Sequence, residues 1–421
     1  MAGNGSLLSD NIKPISHLDL AGGGQIEVHG NYCYVGHMDP PHGTSILDIS
    51  DPKNPKVVAT IDPPPYSHTH KARVVGDLLY TNVEMINRHK RRRGVDKVVE
   101  AQKKLGGDAK TKDIAKELDI DEDLVKDIIY FKDNGYEECG WRVFDISDKT
   151  NPKLLSYTRT HGFGTHRFHC DEQYAYISTE MEGYVGNILV VYDMKDPTKP
   201  EEVSRWWLPG QHLAGGETPT WNGYSHRLHH AMRCGDELWA GMWMAGFRVI
   251  DASDINNLKT IGEIDHHPMV KDTSHTIMPV EQLIDGKRIA VAVDEAHDRI
   301  PGQDPARIWI MDVTDLSNIQ IIASFNVGEM DSPYSRKGRF GAHQYREKLN
   351  STLVYAAWFS GGLRIIDIAD PYWPKEVGHF IPEPVNGFTS PQSNDVDVVD
   401  ETGLVYLIDR NAGLDIVEFN G

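Results

Sequence analysis

Histidine is the residue type in this sequence that is best placed to do chemistry. Twenty of the 421 residues are histidines, and several recur at the same point of a repeated motif. Neutral imidazole nitrogens bind Zn, Fe, Cu or Mn, and each ligating ring needs a partner for its other N–H. The recurring histidines are therefore predicted ligands of one divalent transition metal of undetermined identity: His70, His166, His226, His275 and His343.

Acidic residues occupy a second recurring position, where they could orient the imidazoles or act as general bases. Glu84 and Glu180 each follow a tyrosine, Tyr80 or Tyr176, by four residues. Glu295 has the corresponding place in a later unit. These three glutamates are predicted to be catalytic.

The histidine of the fourth unit is ambiguous. His70 and His166 lie ten residues before the two tyrosines, and the same count before Trp239 reaches His229. The segments HRFH at 166–169 and HRLH at 226–229 instead align His226 with His166. Alternate residues of a strand point to opposite faces, so His226 and His229 cannot both face the metal. We expect His226 to face it and place His229 among the catalytic candidates.

The elements that must position these side chains form a repeat. An Asp-x-x-Asp turn follows a β-branched run in segments such as ILDISDP, VFDISDK and IIDIADP. Each unit reads as four short strands over roughly 50 residues, the period of propeller blades. The pattern predicts an all-β, seven-bladed β-propeller in a single domain, residues 1–421. Units begin near Gln25, His70, His166, His226, His275, His343 and Asn394.

The two ends of the chain indicate how the ring closes. The last unit, AGLDIVEF, lacks a fourth strand, and the segment from Asp10 to Leu18 resembles one. An N-terminal strand that completes the last blade would leave no open sheet edge.

Helical sequence interrupts the second unit at residues 85–138. Apolar residues from Ile114 to Ile129 have helical spacing, and Thr111 and Asp121 are candidate N-caps. We expect a lid, or an oligomer contact that would make the protein a homo-oligomer. The second part resembles a helix-turn-helix and Arg88–Arg93 is basic, but interleaved acidic residues argue against nucleic-acid binding.

Composition narrows the class of partner. Lys and Arg number 43 against 62 Asp and Glu, a net charge of −19, which disfavours nucleic acid and anionic membranes. No apolar stretch approaches the ~20 residues of a membrane span. The N-terminus lacks a signal-peptide pattern, and the four cysteines are scattered. We expect a cytoplasmic protein whose partner is a small molecule.

For three sets of residues a purely structural role is the alternative to the functional interpretation. A repeated histidine could hold a turn in every blade, but the first and seventh units lack it at the strand start, where the seventh has Asn394. Arg167 and Arg227, beside the predicted ligands, could bind an anionic substrate or pair with acidic neighbours. Trp243 could belong to the core or wall an aromatic substrate.

The segments VFDISDKTNPKLL, VIDASDINNLKTIGEI and GGLRIIDIADPYWPKEVGHF resemble the LVIVD-repeat β-propeller family over nearly the whole chain outside the insertion. That resemblance implies the fold and leaves the activity open. More distantly, the inner-strand histidines are similar to those of selenium-binding proteins, which include methanethiol oxidases with a His-bound metal. Four histidines with supporting glutamates resemble the architecture of carotenoid cleavage oxygenases, without a shared motif; propeller lyases with a His-bound divalent metal are a further analogue.

These observations predict a metal-dependent enzyme with a mononuclear, His-ligated site at the central channel. We favour oxidoreductase or oxygenase chemistry on a small organic substrate, because four or more neutral imidazoles suit a redox metal. A Zn- or Mn-dependent lyase or hydrolase at the same site is the first alternative. A non-catalytic propeller that binds a protein is the second.

Overall fold

The protein is described here by a computed structural model that covers residues 6–20, 22–39, 42–297 and 304–421. Two strands precede the first repeat unit: β1 Leu7–Leu8 and β2 Ile12–Leu18. The first unit contains β3 Gly23–His29, β4 Tyr32–His37, β5 Thr44–Asp48 and β6 Lys56–Ile61. The second contains β7 Ser67–His68, β8 Ala72–Val75, β9 Leu78–Met85, β10 Gly140–Asp145 and β11 Lys153–Arg159.

The later units repeat the same order of strands. The third contains β12 His161–Cys170, β13 Tyr174–Glu180, β14 Ile188–Asp193 and β15 Glu201–Trp206. The fourth contains β16 His226–Cys234, β17 Glu237–Trp243, β18 Phe247–Asp251 and β19 Lys259–Ile264. The fifth contains β20 Thr273–Pro279, β21 Ile289–Glu295, β22 Ile308–Asp312 and β23 Gln320–Phe325. The sixth contains β24 Phe340–Tyr345, β25 Leu353–Phe359, β26 Leu363–Asp367 and β27 Lys375–Ile381. The last group contains β28 Ser393–Val399, β29 Leu404–Asp409 and β30 Gly413–Phe419.

The Asp-x-x-Asp motif forms the turn between the third and fourth strands of a unit. In the first unit, the Ser50 amide donates to Asp48 at 2.9 Å and the Lys53 amide donates to Asp51 at 3.1 Å. Each aspartate thus caps the backbone two residues ahead, which is the Asx turn that favours Asp at such positions. The same pairs recur in later units, so the predicted strand boundaries follow from local hydrogen bonding.

Apolar side chains from consecutive units pack between the sheets. One core cluster joins Ile46 of the first unit to Leu79 and Phe144 of the second. Another joins Val291 of the fifth unit to Val354 of the sixth. The first strands contact one another in sequence around the molecule, and β28 contacts β3. This is an all-β, propeller-like fold in which the first strands lie innermost.

The two ends of the chain meet in one sheet. Strand β2 pairs antiparallel with β30, with Ile12 opposite Phe419 and Leu18 opposite Leu414. The short strand β1 pairs with β27 of the preceding unit. The N-terminal segment therefore pairs with two strands from near the other end of the chain, β27 and β30.

The insertion is a small helical unit in the loop between β9 and β10. It consists of α1 Arg88–Leu105, α2 Thr111–Leu118 and α3 Glu122–Asn134. It has its own core, which includes Val98, Ile114 and Ile128. Asp121 caps α3 by accepting the Asp123 amide at 2.7 Å, as predicted, whereas Lys110 rather than Thr111 occupies the cap position of α2. Among the described residues, no helix is long and apolar enough to cross a membrane.

Candidate functional site

Five histidines from consecutive units surround one end of the central channel. Neighbouring ring centroids lie 5.4 Å apart for His70 and His166, 4.8 Å for His166 and His229, 3.8 Å for His229 and His275, and 4.7 Å for His275 and His343. They line a cavity of about 160 Å³. We call this space the histidine chamber.

Local strand irregularities direct these side chains into the chamber. Strand pairing shifts register between Thr165 and Arg167, and again between Ser274 and Thr276. Comparable shifts bracket His229 and His343. His70 lies in the break between β7 and β8. A β-bulge bends the strand and re-aims a side chain, so each histidine occupies a point where simple alternation fails.

This irregularity corrects one expectation about position. His229, which was expected to face away, lies in the chamber, and His226 does not. His226 stacks on Trp221 with ring centroids 4.6 Å apart and lies 3.0 Å from the Ser225 hydroxyl. The bulge between His226 and His230 breaks the alternation on which the prediction depended.

The hydrogen bonds fix the protonated nitrogen of two rings. Nδ1 of His343 donates to the carbonyl of Asn394. Thr276 donates its hydroxyl hydrogen to Gln344 at 2.7 Å, so its oxygen accepts from Nδ1 of His275, also at 2.7 Å. In a neutral ring whose Nδ1 carries the proton, Nε2 has a free lone pair. Nε2 of His275 is buried and, within the described chain, has no hydrogen-bond partner.

The spacing of two other rings fits a shared ligand. The Nε2 atoms of His166 and His229 lie 3.1 Å apart. Two nitrogens that bind one metal at about 2.1 Å lie roughly 3.0 to 3.4 Å apart, for ligand angles between octahedral and tetrahedral. Nδ1 of His166 lies 3.1 Å from both a Glu84 oxygen and an Arg88 nitrogen, and donation to Glu84 would leave Nε2 free for a metal.

Burial keeps the imidazoles neutral. It lowers the pKa of His70, His166, His229, His275 and His343 well below the usual range. Nearby cations, such as Arg88 beside His166 and Arg167 beside His229, lower these pKa values further. Neutral imidazole is the form that binds metals, so the chamber presents its ligand set in the competent protonation state.

Of the three predicted glutamates, Glu295 lines the chamber and Glu84 contacts two of the histidines that line it. Glu84 is 2.9 Å from Nε2 of His68, and Glu295 is 3.6 Å from Nε2 of His343. Burial alone would raise the pKa of Glu295, but His297 and Arg339 hold it well below the usual range. Two buried groups could each hold a metal: His229, His275 and Glu295, and His68, His70 and Glu84.

The third glutamate has a different position. Glu180 accepts a hydrogen bond from Arg92 of α1 at 2.5 Å and another from the Phe163 amide at 3.0 Å. Glu180 lies outside the chamber lining. It joins helix α1 to the third unit.

Several chamber residues were not predicted from the sequence. His68 lies two residues before His70, a spacing that places both on one side of an extended segment, but we expected one histidine per unit. Arg88 and His89 come from the insertion, and Arg339 and Arg410 come from loops. Lysine and arginine in loops carry no periodic signal, so only the folded chain reveals them.

Two aromatic residues at the ends of second strands support the chamber. Trp243 and Phe359 have positive φ values of 52° and 40°, which are costly for bulky residues. The Phe359 ring lies 4.8 Å from that of His343 and beneath the guanidinium of Arg339 at 4.1 Å. Strain at such positions is typical of functional sites.

Comparison with known proteins identifies the repeat and the fold. The LVIVD repeat matches residues 23–62 and 353–381. The chain is similar to the β-propeller domain of Myceliophteria thermophila Cps50 (Swd1), with a TM-score of 0.52 and 12% identity over 97% of this chain and 98% of that one. It is also similar to a chain of the Mitotic Checkpoint Complex, with a TM-score of 0.53 and 8% identity over 98% and 95% of the two chains.

A third structure, Chaetomium thermophilum Raptor, matches with a TM-score of 0.55 and 9% identity over 97% of this chain and 29% of that chain. At such low identities the similarity shows the fold alone. No curated protein matches the sequence. The propeller-like architecture and the two matched regions confirm the resemblance seen in the sequence: the chain contains LVIVD repeats.

Proposed function

We propose that the protein is a metal-dependent enzyme that holds one divalent transition metal in the histidine chamber. The proposed ligands are His166, His229, His275 and His343, with His70 and Glu295 at the margin. The observation that carries the proposal is the buried Nε2 of His275, whose lone pair has no partner in the described chain. A buried polar atom without a partner is costly, and a metal ion would satisfy it.

We also propose that the strand groups form seven blades and that β2 closes the ring as the fourth strand of the last one. Support comes from the pairing of β2 with β30 and from the contact between β28 and β3. In this arrangement, the first strands of blades two to six supply the histidines. Blade seven supplies the Asn394 carbonyl that orients His343.

The favoured reaction class is oxidation or oxygenation of a small organic substrate. A bound Fe or Cu would supply the redox chemistry. Glu84 would hold His166 in the ligating tautomer, and Glu295, whose lowered pKa keeps it ionised, would accept a proton beside His343. A Zn- or Mn-dependent lyase or hydrolase would use the same residues. We place the enzyme in the cytoplasm, where its four free thiols would persist.

Metal analysis of protein purified without added metal tests the proposal. The natural protein is compared with alanine variants of two histidines of β16, one outside the chamber and one inside it. We expect about one equivalent of Fe, Cu, Mn or Zn in the natural protein and in His226→Ala, and loss of most of it in His229→Ala. Melting temperature checks that both variants fold. A metal-free protein, or equal metal in both variants, would contradict the proposal.

The identity of the metal then separates the reaction classes. An Fe or Cu signal in electron paramagnetic resonance spectra supports the oxidoreductase. A colourless, silent protein that contains stoichiometric zinc supports the lyase or hydrolase.

A further inference from the structure

A second cavity of about 670 Å³ opens beside the histidine chamber, between α1 and the segment that leads into β16. It shares His89, Trp243 and His297 with the chamber lining. We call it the outer cavity. Its volume is in the range of small-molecule sites, and its position makes it the approach to the chamber.

The outer cavity is cationic although the whole chain has a net charge of −19. Arg92, Arg93 and Arg227 line it, and the described lining contains no aspartate or glutamate. A concave surface with charge of one sign focuses the field and concentrates oppositely charged ligands. This concentration of guanidinium groups favours an anion.

Arg227 is the most specific of these cations. Arg227 is only 5% exposed, yet its guanidinium has no hydrogen-bond acceptor or ion-pair partner across the described chain. By contrast, Arg92 pairs with Glu180, and Arg167, which is fully buried, pairs with Glu347. A guanidinium keeps its positive charge at neutral pH. A buried charge without a partner is costly unless a ligand completes its hydrogen bonds.

Aromatic rings form the wall next to this cation. The Arg227 guanidinium lies 3.6 Å from the centre of the Trp243 ring. His297 stacks on the same ring at 5.1 Å, and the His89 ring lies 6.0 Å from it. Tyr224, beneath Arg92 at 3.7 Å, is 41% exposed. Rings of this kind pack against the body of an aromatic ligand.

We propose that the outer cavity binds small aromatic carboxylates, with the carboxylate on Arg227 and the ring packed beside Tyr224 and the edge of Trp243. The role of this binding, delivery of substrate to the metal, rests on the proposed function. Binding itself depends only on residues of the outer cavity.

Calorimetric titration of the full-length protein with benzoate tests the proposal, with benzamide as the neutral ligand of the same shape. The protein is first treated with a chelator, so that no metal can bind the carboxylate. We expect benzoate to bind more tightly than benzamide. Arg227→Gln should weaken benzoate binding about tenfold or more, the usual effect of a lost charge-assisted hydrogen bond, and leave benzamide unaffected.

Two further variants keep the test decisive if Arg227→Gln folds poorly. Arg93→Gln removes an exposed lining cation, and we expect weaker benzoate binding in low salt. Lys97→Gln removes an exposed cation of the same helix outside the lining, and binding should not change. Equal binding of benzoate and benzamide, or equal benzoate affinity in all variants, would overturn the proposal.

The outcomes separate this inference from the metal proposal. Arg227-dependent binding by a protein that never contains metal would support the anion site and contradict the metal enzyme. A metal-loaded protein that binds benzoate only through its metal would support the metal enzyme and contradict the anion site.

Discussion

At the scale of the residue, the site depends on where the backbone departs from regular alternation. His229 and His275 enter the chamber from bulged positions, and Gly241 lets β17 approach the backbone of His275 closely. A Cβ on Gly241 of β17 would lie 2.2 Å from the carbonyl oxygen of His275. Since that oxygen belongs to the backbone, it cannot move aside cheaply.

Gly241→Ala is therefore expected to displace His275 and to reduce stability. Overpacking of this kind typically costs about 1–3 kcal/mol in the free energy of unfolding. Gly107→Ala is the control, because a Cβ there meets nothing within 4 Å. Urea unfolding and metal content measure the two effects. Equal metal content and stability in both variants would show that the close approach is unimportant.

At the scale of the element, the helical insertion extends from the hairpin of β9 and β10, and its first residues reach the chamber. Strands β9 and β10 pair from Leu78 to Val83 without help from the helices. At the start of α1, Arg88 donates to Glu84 at 2.5 Å, and His89 lines both cavities. The insertion therefore covers the chamber and has a separate core, which is the arrangement expected of a lid.

Replacing residues 88–134 by a short Gly-Ser linker tests this role. We expect the propeller to fold with its strand content retained, because the flanking hairpin keeps its register. Metal should be lost to a chelator several-fold faster, since the cover over the histidines is gone. Far-ultraviolet circular dichroism and the rate of metal loss are the measurements. An unchanged rate would contradict the lid.

At the scale of the whole molecule, closure joins residues that lie about as far apart in the chain as possible. Ile12 is buried in a core cluster with Tyr355 and Val417. Its neighbour Lys13 is largely exposed and pairs with Glu418. Substitutions at these two adjacent residues of β2 can therefore distinguish the contribution of buried packing to sheet closure from that of a surface ion pair.

Ile12→Ala should lower the free energy of unfolding by about 2–5 kcal/mol, the usual loss for a buried isoleucine. Lys13→Ala should lower it by less than about 1 kcal/mol, because exposed ion pairs contribute little. Denaturant unfolding of both variants measures the difference. Similar losses would mean that β2 does not act as a structural strand of the last group.

Local sequence determined much of the architecture. Asp-x-x-Asp turns such as Asp48–Asp51 carry their own hydrogen bonds, so they mark strand ends wherever they occur. Alternating apolar runs then define the strands. The last unit has no fourth strand of its own, which points to the strand-like segment near the N-terminus as its partner. The helical spacing of the insertion is equally local, and Asp121 caps its helix as predicted.

Tertiary structure decided which side chains share the chamber. Sequence periodicity placed a histidine in each of five units, but it could not choose between His226 and His229, because the register shift between His226 and His230 breaks the alternation of faces. Nor could it bring Arg88, at the start of the inserted helix α1, to the same point as Arg339 and Arg410, which lie in loops and follow no period. The physical reason is that turns and strands depend on neighbours in the chain, whereas a site depends on the register and packing of strands that are far apart in it.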